Sequence, residues 1–312
     1  MRRLLDYFSN GITSSTLQTV GMEVETQFVT ESGEPISVDT SQAILRRLSK
    51  FPGWKVNKTK GNLITELAGD TGAFFSYELG RHNIEYSSAP LSTSHIPSLP
   101  QISLYNLYFC AKKFGAYPYF GPILKGTEDL LVIPDERDAN WLKLDGREAL
   151  APLARTSSVQ FTISVSPSDA ISILNDLGSN MGKFLPSYPQ DQVWKEYVAS
   201  SKANYRPDRY GGPLIFANLE NYCELLSRHD VIQGTTLVPF SKAQNLDIPL
   251  YLRSIWWHFR LKRYGNSLCI EVRPLPRLED SNFNSQFKFV KDIFSPYRTR
   301  RPGHYSGPGW GH

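Results

Sequence analysis

GMEVETQFV, Gly21 to Val29, alternates in residue type. Met22, Val24 and Phe28 are apolar; Glu23, Glu25 and Gln27 are polar. A period of two is that of a β-strand with one greasy and one polar face. The two carboxylates therefore point the same way and repel each other unless something sits between them. The same alternation returns further on. In SSVQFTISV (157–165), Val159, Phe161, Ile163 and Val165 oppose Ser158, Gln160, Thr162 and Ser164. In SLCIEVRPL (267–275), Leu268, Ile270 and Val272 oppose Cys269, Glu271 and Arg273. In RHNIEYSSAP (81–90), Ile84 and Tyr86 oppose Asn83, Glu85 and Ser87.

Between these strands the spacing predicts helices. They fall in SVDTSQAILRRLSKF (37–51), starting at Asp39 or Thr40; SLPQISLYNLYFCAKKFG (98–115), ending at Gly115; SPSDAISILNDLG (166–178), stopping at Gly178; and ANLENYCELLSRHD (217–230). GNLITEL and AFFSYEL flank AGDTG, which reads as a hairpin turn. Hairpins and helices mix without strict alternation, so the expected class is α+β with an antiparallel sheet.

The chain has 312 residues, 40% of them hydrophobic, and a net charge of +4. That length suits one large domain or two ordinary ones. No linker splits it, so residues 1–294 are expected to form one catalytic domain. The Pro/Gly/Arg-rich residues 295–312 are expected to form a flexible basic tail, with Arg298, Arg300 and Arg301 as a cluster that would either fold over a ligand or stay solvated. The basic excess is too weak to argue for nucleic acid. No apolar run approaches the ~20 residues of a membrane span, and the N-terminus lacks the apolar core of a signal peptide. A soluble cytoplasmic protein is expected, with oligomerisation left open. Three distant cysteines, Cys110, Cys223 and Cys269, show neither metal nor disulfide spacing and read as buried thiols.

The polar strand faces carry carboxylates with small hydroxyls and Gln, and no Lys. A solvated sheet face is the plain reading. Clustered carboxylates without compensating Lys also suit hard divalent cations, which take oxygen ligands. No Walker loop, Gly-x-Gly-x-x-Gly fingerprint or serine-nucleophile motif is present.

Five segments, in order, resemble the glutamate–cysteine ligases and their wider carboxylate–amine ligase superfamily. They are GMEVETQFV, YELGRHNIEYSSAP (77–90), ARTSSVQFTISV (154–165), YRPDRYGGPLIFANLENYCELL (205–226) and SIWWHFRLKRYGNSLCIEVRPL (254–275). The resemblance implies a glutamine-synthetase-like antiparallel sheet curved into a funnel, with helices outside. It implies ATP, Mg²⁺ and a small amino-acid or peptide substrate. The expected activity is activation of a glutamate-like carboxylate as an acyl phosphate and amide formation with cysteine or another amine. A kinase on the same scaffold, or a non-catalytic member binding a metabolite or protein partner, is the alternative.

The resemblance also assigns candidate residues. Glu23, Glu25, Glu78, Glu85 and Glu271 would hold Mg²⁺, although Glu78 could simply cap a strand. Arg273, Arg155 and Gln160 would act on the substrate; Arg206, Arg260 and Arg273 would bind phosphate. A structural Glu271–Arg273 pair and a satisfied Gln160 amide are the plain readings. Trp256 and Trp257 read as core, Glu66 as structural, and His82 as a residue that could approach substrate. His258 stands where many relatives carry an Asp, and ELGRHNIE spaces its acids as in the bacterial carboxylate–amine ligase branch, which leaves the amine open.

Overall fold

Met22, Val24 and Phe28 are wholly buried, while Glu23 and Glu25 on the other face remain partly open. The computed structural model describes residues 1–13, 19–131 and 136–298. Fourteen strands form among them: β1 (Thr19–Val29), β2 (Trp54–Lys60), β3 (Leu63–Gly69), β4 (Phe74–Tyr77), β5 (Asn83–Ser87), β6 (Leu91–Ser92), β7 (Tyr117–Tyr119), β8 (Ser158–Ser164), β9 (Tyr210–Gly211), β10 (Val231–Gln233), β11 (Thr236–Val238), β12 (Trp256–Trp257), β13 (Phe259–Tyr264) and β14 (Ser267–Pro276).

Ten of these make one sheet in the order β13-β14-β8-β1-β5-β4-β3-β2, with β6 and β7 also pairing β1. Its pairings are antiparallel. The edge strand β2, WKVNKTK, is exposed along most of its length, and its lysines discourage pairing with another sheet. The class is α+β, as the mixture of hairpins and helices implied.

Helices cover one face. Ile44, Leu45 and Leu48 of helix Val38–Leu48, Leu104 and Leu107 of helix Ser98–Lys112, Ile173 and Leu177 of helix Ala170–Ser179, and Phe287 and Val290 of helix Phe283–Arg298 join Val24, Phe161 and Ile270 in one core. Phe161 meets Phe287 with ring centroids 5.2 Å apart. Burying the apolar face this way leaves the polar face of the sheet to line a cavity.

Three boundaries differ from expectation. Ser37, not Asp39 or Thr40, caps helix Val38–Leu48, its Oγ accepting from Thr40 N at 3.1 Å. Gly178 lies inside its helix rather than ending it, because a Cβ there would meet Leu214 O at 1.9 Å and only glycine allows that approach. The last helix runs on through Arg298, and Tyr297 Oη donates to Asp176 at 2.6 Å, so 295–298 belong to the body. Residues 299–312, with Arg300 and Arg301, lie outside the described residues. Cys110, Cys223 and Cys269 are buried free thiols. Among the described residues no helix is long and apolar enough to cross a membrane.

Candidate functional site

The sheet register sets carboxylates against each other. Glu25 on β1 stands directly opposite Glu85 on β5, and Glu23 stands opposite Ser87 on one side and Gln160 on the other. Directly opposed side chains on one face have Cβ atoms about 4.5–5.5 Å apart, so like charges there are destabilising. Glu78, just past β4, lies close enough to Glu85 for the two carboxyls to influence each other's charge.

The partners of these acids are mostly neutral. Glu25 accepts from Ser158 N at 2.7 Å and Gln160 Nε2 at 3.2 Å. Glu85 accepts from Ser87 Oγ at 2.6 Å, and Glu78 from Leu79 N at 3.1 Å. Burial first, and then the neighbouring Glu78, push Glu25 up to about 8. Burial and the surrounding acids also hold Glu85 well above the usual carboxylate range. Glu78 is raised by burial too, although its side chain stays open to the water of the cavity.

A second cluster lies two strands away. Glu271, with no exposed surface, is held by Arg260 and Lys262 of β13 and by Arg273 Nη1 at 3.3 Å. Burial alone would raise its pKa, but Arg260, Lys262 and Arg273 drive it well below the usual value. Arg260 also donates to Leu252 O at 2.7 Å and Ile255 O at 2.8 Å, which fixes it to the backbone. Among the described residues Arg260, Lys262 and Arg273 pair with Glu271, Lys262 also approaches Glu23, and no cation pairs with Glu25, Glu78 or Glu85.

One chain of polar contacts joins the two clusters. Gln160 donates to Glu25 and accepts from Arg273 Nη1 at 3.0 Å. Arg273 reaches Glu271, Glu271 reaches Lys262, and Lys262 Nζ lies 3.6 Å from Glu23. All of these residues border a cavity of about 1660 Å³. Its far wall is apolar and includes Trp141, Leu142, Leu150, Trp194, Ile232 and Trp256.

The cavity thus gathers Glu23, Glu25, Glu78, Glu85, Glu271, Gln160, Arg260 and Arg273. It does not gather Arg155 or Arg206. Arg155 is buried behind the site and donates to Glu128 O, and Arg206 pairs with Asp208 at 3.0 Å on an exposed turn. Both guanidiniums therefore make local contacts away from the cavity in which the other candidate residues meet. Glu271, expected to bind a cation from solution, is already engaged by three side-chain cations. His82 is fully buried against Gln27 Oε1 at 2.8 Å, and burial pushes it down to about 3. Glu66 pairs with Lys58 at 2.8 Å. Trp257 is core, as expected; Trp256 is also buried but borders the cavity.

Lys262 and Tyr188 are site residues that the sequence reading missed. FRLKRY places Arg260 and Lys262 on one face at period two, the signal that would have identified β13 as a strand of the floor.

Among the described residues no three acidic, His or Cys side chains stand in ready-made metal-ligating geometry. The donor chemistry nevertheless fits Mg²⁺. Glu25, Glu78, Glu85 and the adjacent Glu23 offer hard oxygens, and the strain of their mutual repulsion is what a divalent cation relieves.

No protein-family model and no curated protein sequence matches the chain. Solved structures do. A glutamate–cysteine ligase from Francisella tularensis, in complex with AMP, superposes with a TM-score of 0.54 at 11% identity, over 93% of this chain and 68% of that one. The fold is that of a glutamate–cysteine ligase. A bifunctional glutathione synthetase from Pasteurella multocida aligns with a TM-score of 0.41 at 13% identity, over 83% of this chain and 36% of that much longer one. Four of the five resembling segments border the cavity over the polar sheet face; residues 205–226 contribute nothing to its lining.

Proposed function

We propose that this protein is an ATP-dependent carboxylate–amine ligase whose sheet serves as the funnel of a glutamine-synthetase-like site. The observation that carries the reading is the opposed pair Glu25–Glu85 beside Glu78, with no paired cation among the described residues, within one cavity of the Arg273–Glu271 cluster. Glu23, Glu25, Glu78 and Glu85 would hold Mg²⁺. When bound, the metal neutralises phosphate charge.

The chain's own residues do the rest. Arg273 is fixed from both sides by Glu271 and Gln160, so its guanidinium is pre-set for a carboxylate or phosphate oxygen without losing further freedom. Lys262, held between Glu23 and Glu271, adds a second fixed positive charge at the cavity floor. The apolar wall limits water, which protects an activated carboxylate until an amine displaces phosphate.

Incubation with ATP, Mg²⁺, glutamate and a pooled amine library, read by mass spectrometry, tests this. An amide with released phosphate is expected. A stable phosphorylated product would favour the kinase alternative. No turnover, together with no Mg·ATP-dependent rise in melting temperature, would overturn the reading.

A further inference from the structure

Helix Ser98–Lys112 has no charged residue from Ser98 to Ala111. Leu104, Leu107, Cys110 and Ala111 bury one side of it in the core. The opposite side is apolar as well. Ile102, Tyr105 and Phe109 lie at helical spacing on it, 60%, 68% and 41% exposed, and Leu99 flanks them. Phe114 and Tyr117 continue the patch past the helix end. A helix that is apolar all round belongs in an interior, and contiguous exposed patches of this kind mark interaction surfaces.

We propose that this face joins two copies of the chain, paired antiparallel about a two-fold axis that crosses the helix near Tyr105. The six side chains present roughly 600 Å², close to the ~800 Å² per partner of a standard interface, and the polar rim supplies the remainder. Charge placement fits the same symmetry. Gln101, Tyr108 and Lys112 share one flank at i, i+7 and i+11. Gln101 Nε2 donates to Asp280 O at 2.8 Å, and Tyr108 Oη donates to Asp280 Oδ1 at 3.2 Å. The exposed Glu279 adjoins Asp280 in sequence, and Asp280 is held by the Gln101–Tyr108 stretch of that flank, whereas Lys112 lies at its C-terminal end. A two-fold axis in the interface plane, perpendicular to the helix, reverses the helix and keeps the flank, so each Lys112 approaches the partner's Glu279. An isologous contact of this kind closes at two copies.

Light scattering on the full chain is expected to give twice the 35.4 kDa chain mass at micromolar concentration and above. The double substitution Ile102→Lys, Tyr105→Lys should return the mass to one chain with an unchanged far-ultraviolet spectrum, since both side chains are exposed. Tyr105→Cys should form a disulfide-linked dimer on oxidation, against no background from the three buried native thiols. A chain that stays at 35.4 kDa up to its solubility limit overturns the proposal, as does a dimer that survives the lysine pair. A lysine-sensitive dimer that Tyr105→Cys does not cross-link overturns the placement of the axis.

Discussion

Glu25 and Glu271 are the same residue type on the same face of the same sheet, and the protein treats them oppositely. Glu271 is enclosed by Arg260, Lys262 and Arg273, which hold it ionised. Glu25 faces Glu85, Glu78 and Glu23 and is pushed towards the neutral form. A fold that satisfies one buried carboxylate with three cations, and leaves its neighbours to repel, has built the first for stability. The second is poised for something that arrives from solution.

Substituting the satisfied carboxylate should have the largest effect. Glu271→Gln keeps size but leaves three crowded cations without their counter-charge, and removal of one partner from a buried ion cluster costs about 3–5 kcal/mol. Urea unfolding should read that loss. A shift under about 1 kcal/mol, the value of an exposed pair, would erase the distinction between the two clusters.

Glu25→Gln should do the reverse to stability and the greater harm to function. Without metal it relieves repulsion, so the melting temperature should hold or rise slightly. Mg·ATP-dependent stabilisation should vanish and turnover should fall on the order of 10²–10³-fold, the scale for losing one transition-state stabilising group. Full activity in this variant would remove the metal role from the proposed function.

The clusters should also separate on a pH axis. Glu25 rises from its ordinary 4.5 to about 8 in the folded chain, so the fold holds a proton that the unfolded chain releases. That contribution is complete below 4.5 and is lost as pH rises through about 8. Glu271 is depressed instead, and its contribution is lost only as pH falls below 4.5. Stability of the metal-free protein should therefore decline from about pH 4.5 to about pH 8, by at most about 1.4 kcal/mol per pH unit for each such proton. Saturating Mg²⁺ should flatten the decline, because metal binding displaces those protons. A flat profile without metal would mean that the acids are not coupled.

Glu78→Gln should have the smallest effect. Its carboxyl is open to the cavity water, so neutralising it relieves less repulsion, and a fall in turnover of less than about tenfold is expected. A loss as deep as that of Glu25→Gln would make Glu78 the principal ligand.

Much of the acid cluster was readable from strand phase. Period two places Glu23, Glu25, Glu85 and Glu271 on polar faces whatever the order of the strands. What phase cannot give is the neighbour across the sheet. Lys262 lies on β13, hidden in the aromatic run before GNSLCIEV, and only the β13–β14 pairing reveals that Glu271 has company. Arg155 and Arg206 lie outside the cavity for the complementary reason. Each stands in a segment that resembles a family, but the backbone turns it away from the cavity, a property of three-dimensional placement that no local pattern encodes. The helix Ser98–Lys112 showed its apolar character in sequence, while which of its two apolar sides meets the core followed only from packing.

β1 pairs with β5 and β8 along its two sides and takes β6 and β7 at its ends. Its amides are therefore the ones expected to exchange with solvent last, opening only when the whole domain opens. Glu23 and Glu25 ride on that strand, so any movement during a reaction cycle must come to them. The slowest-exchanging strand would then be the fixed reference against which the surrounding hairpins and loops close.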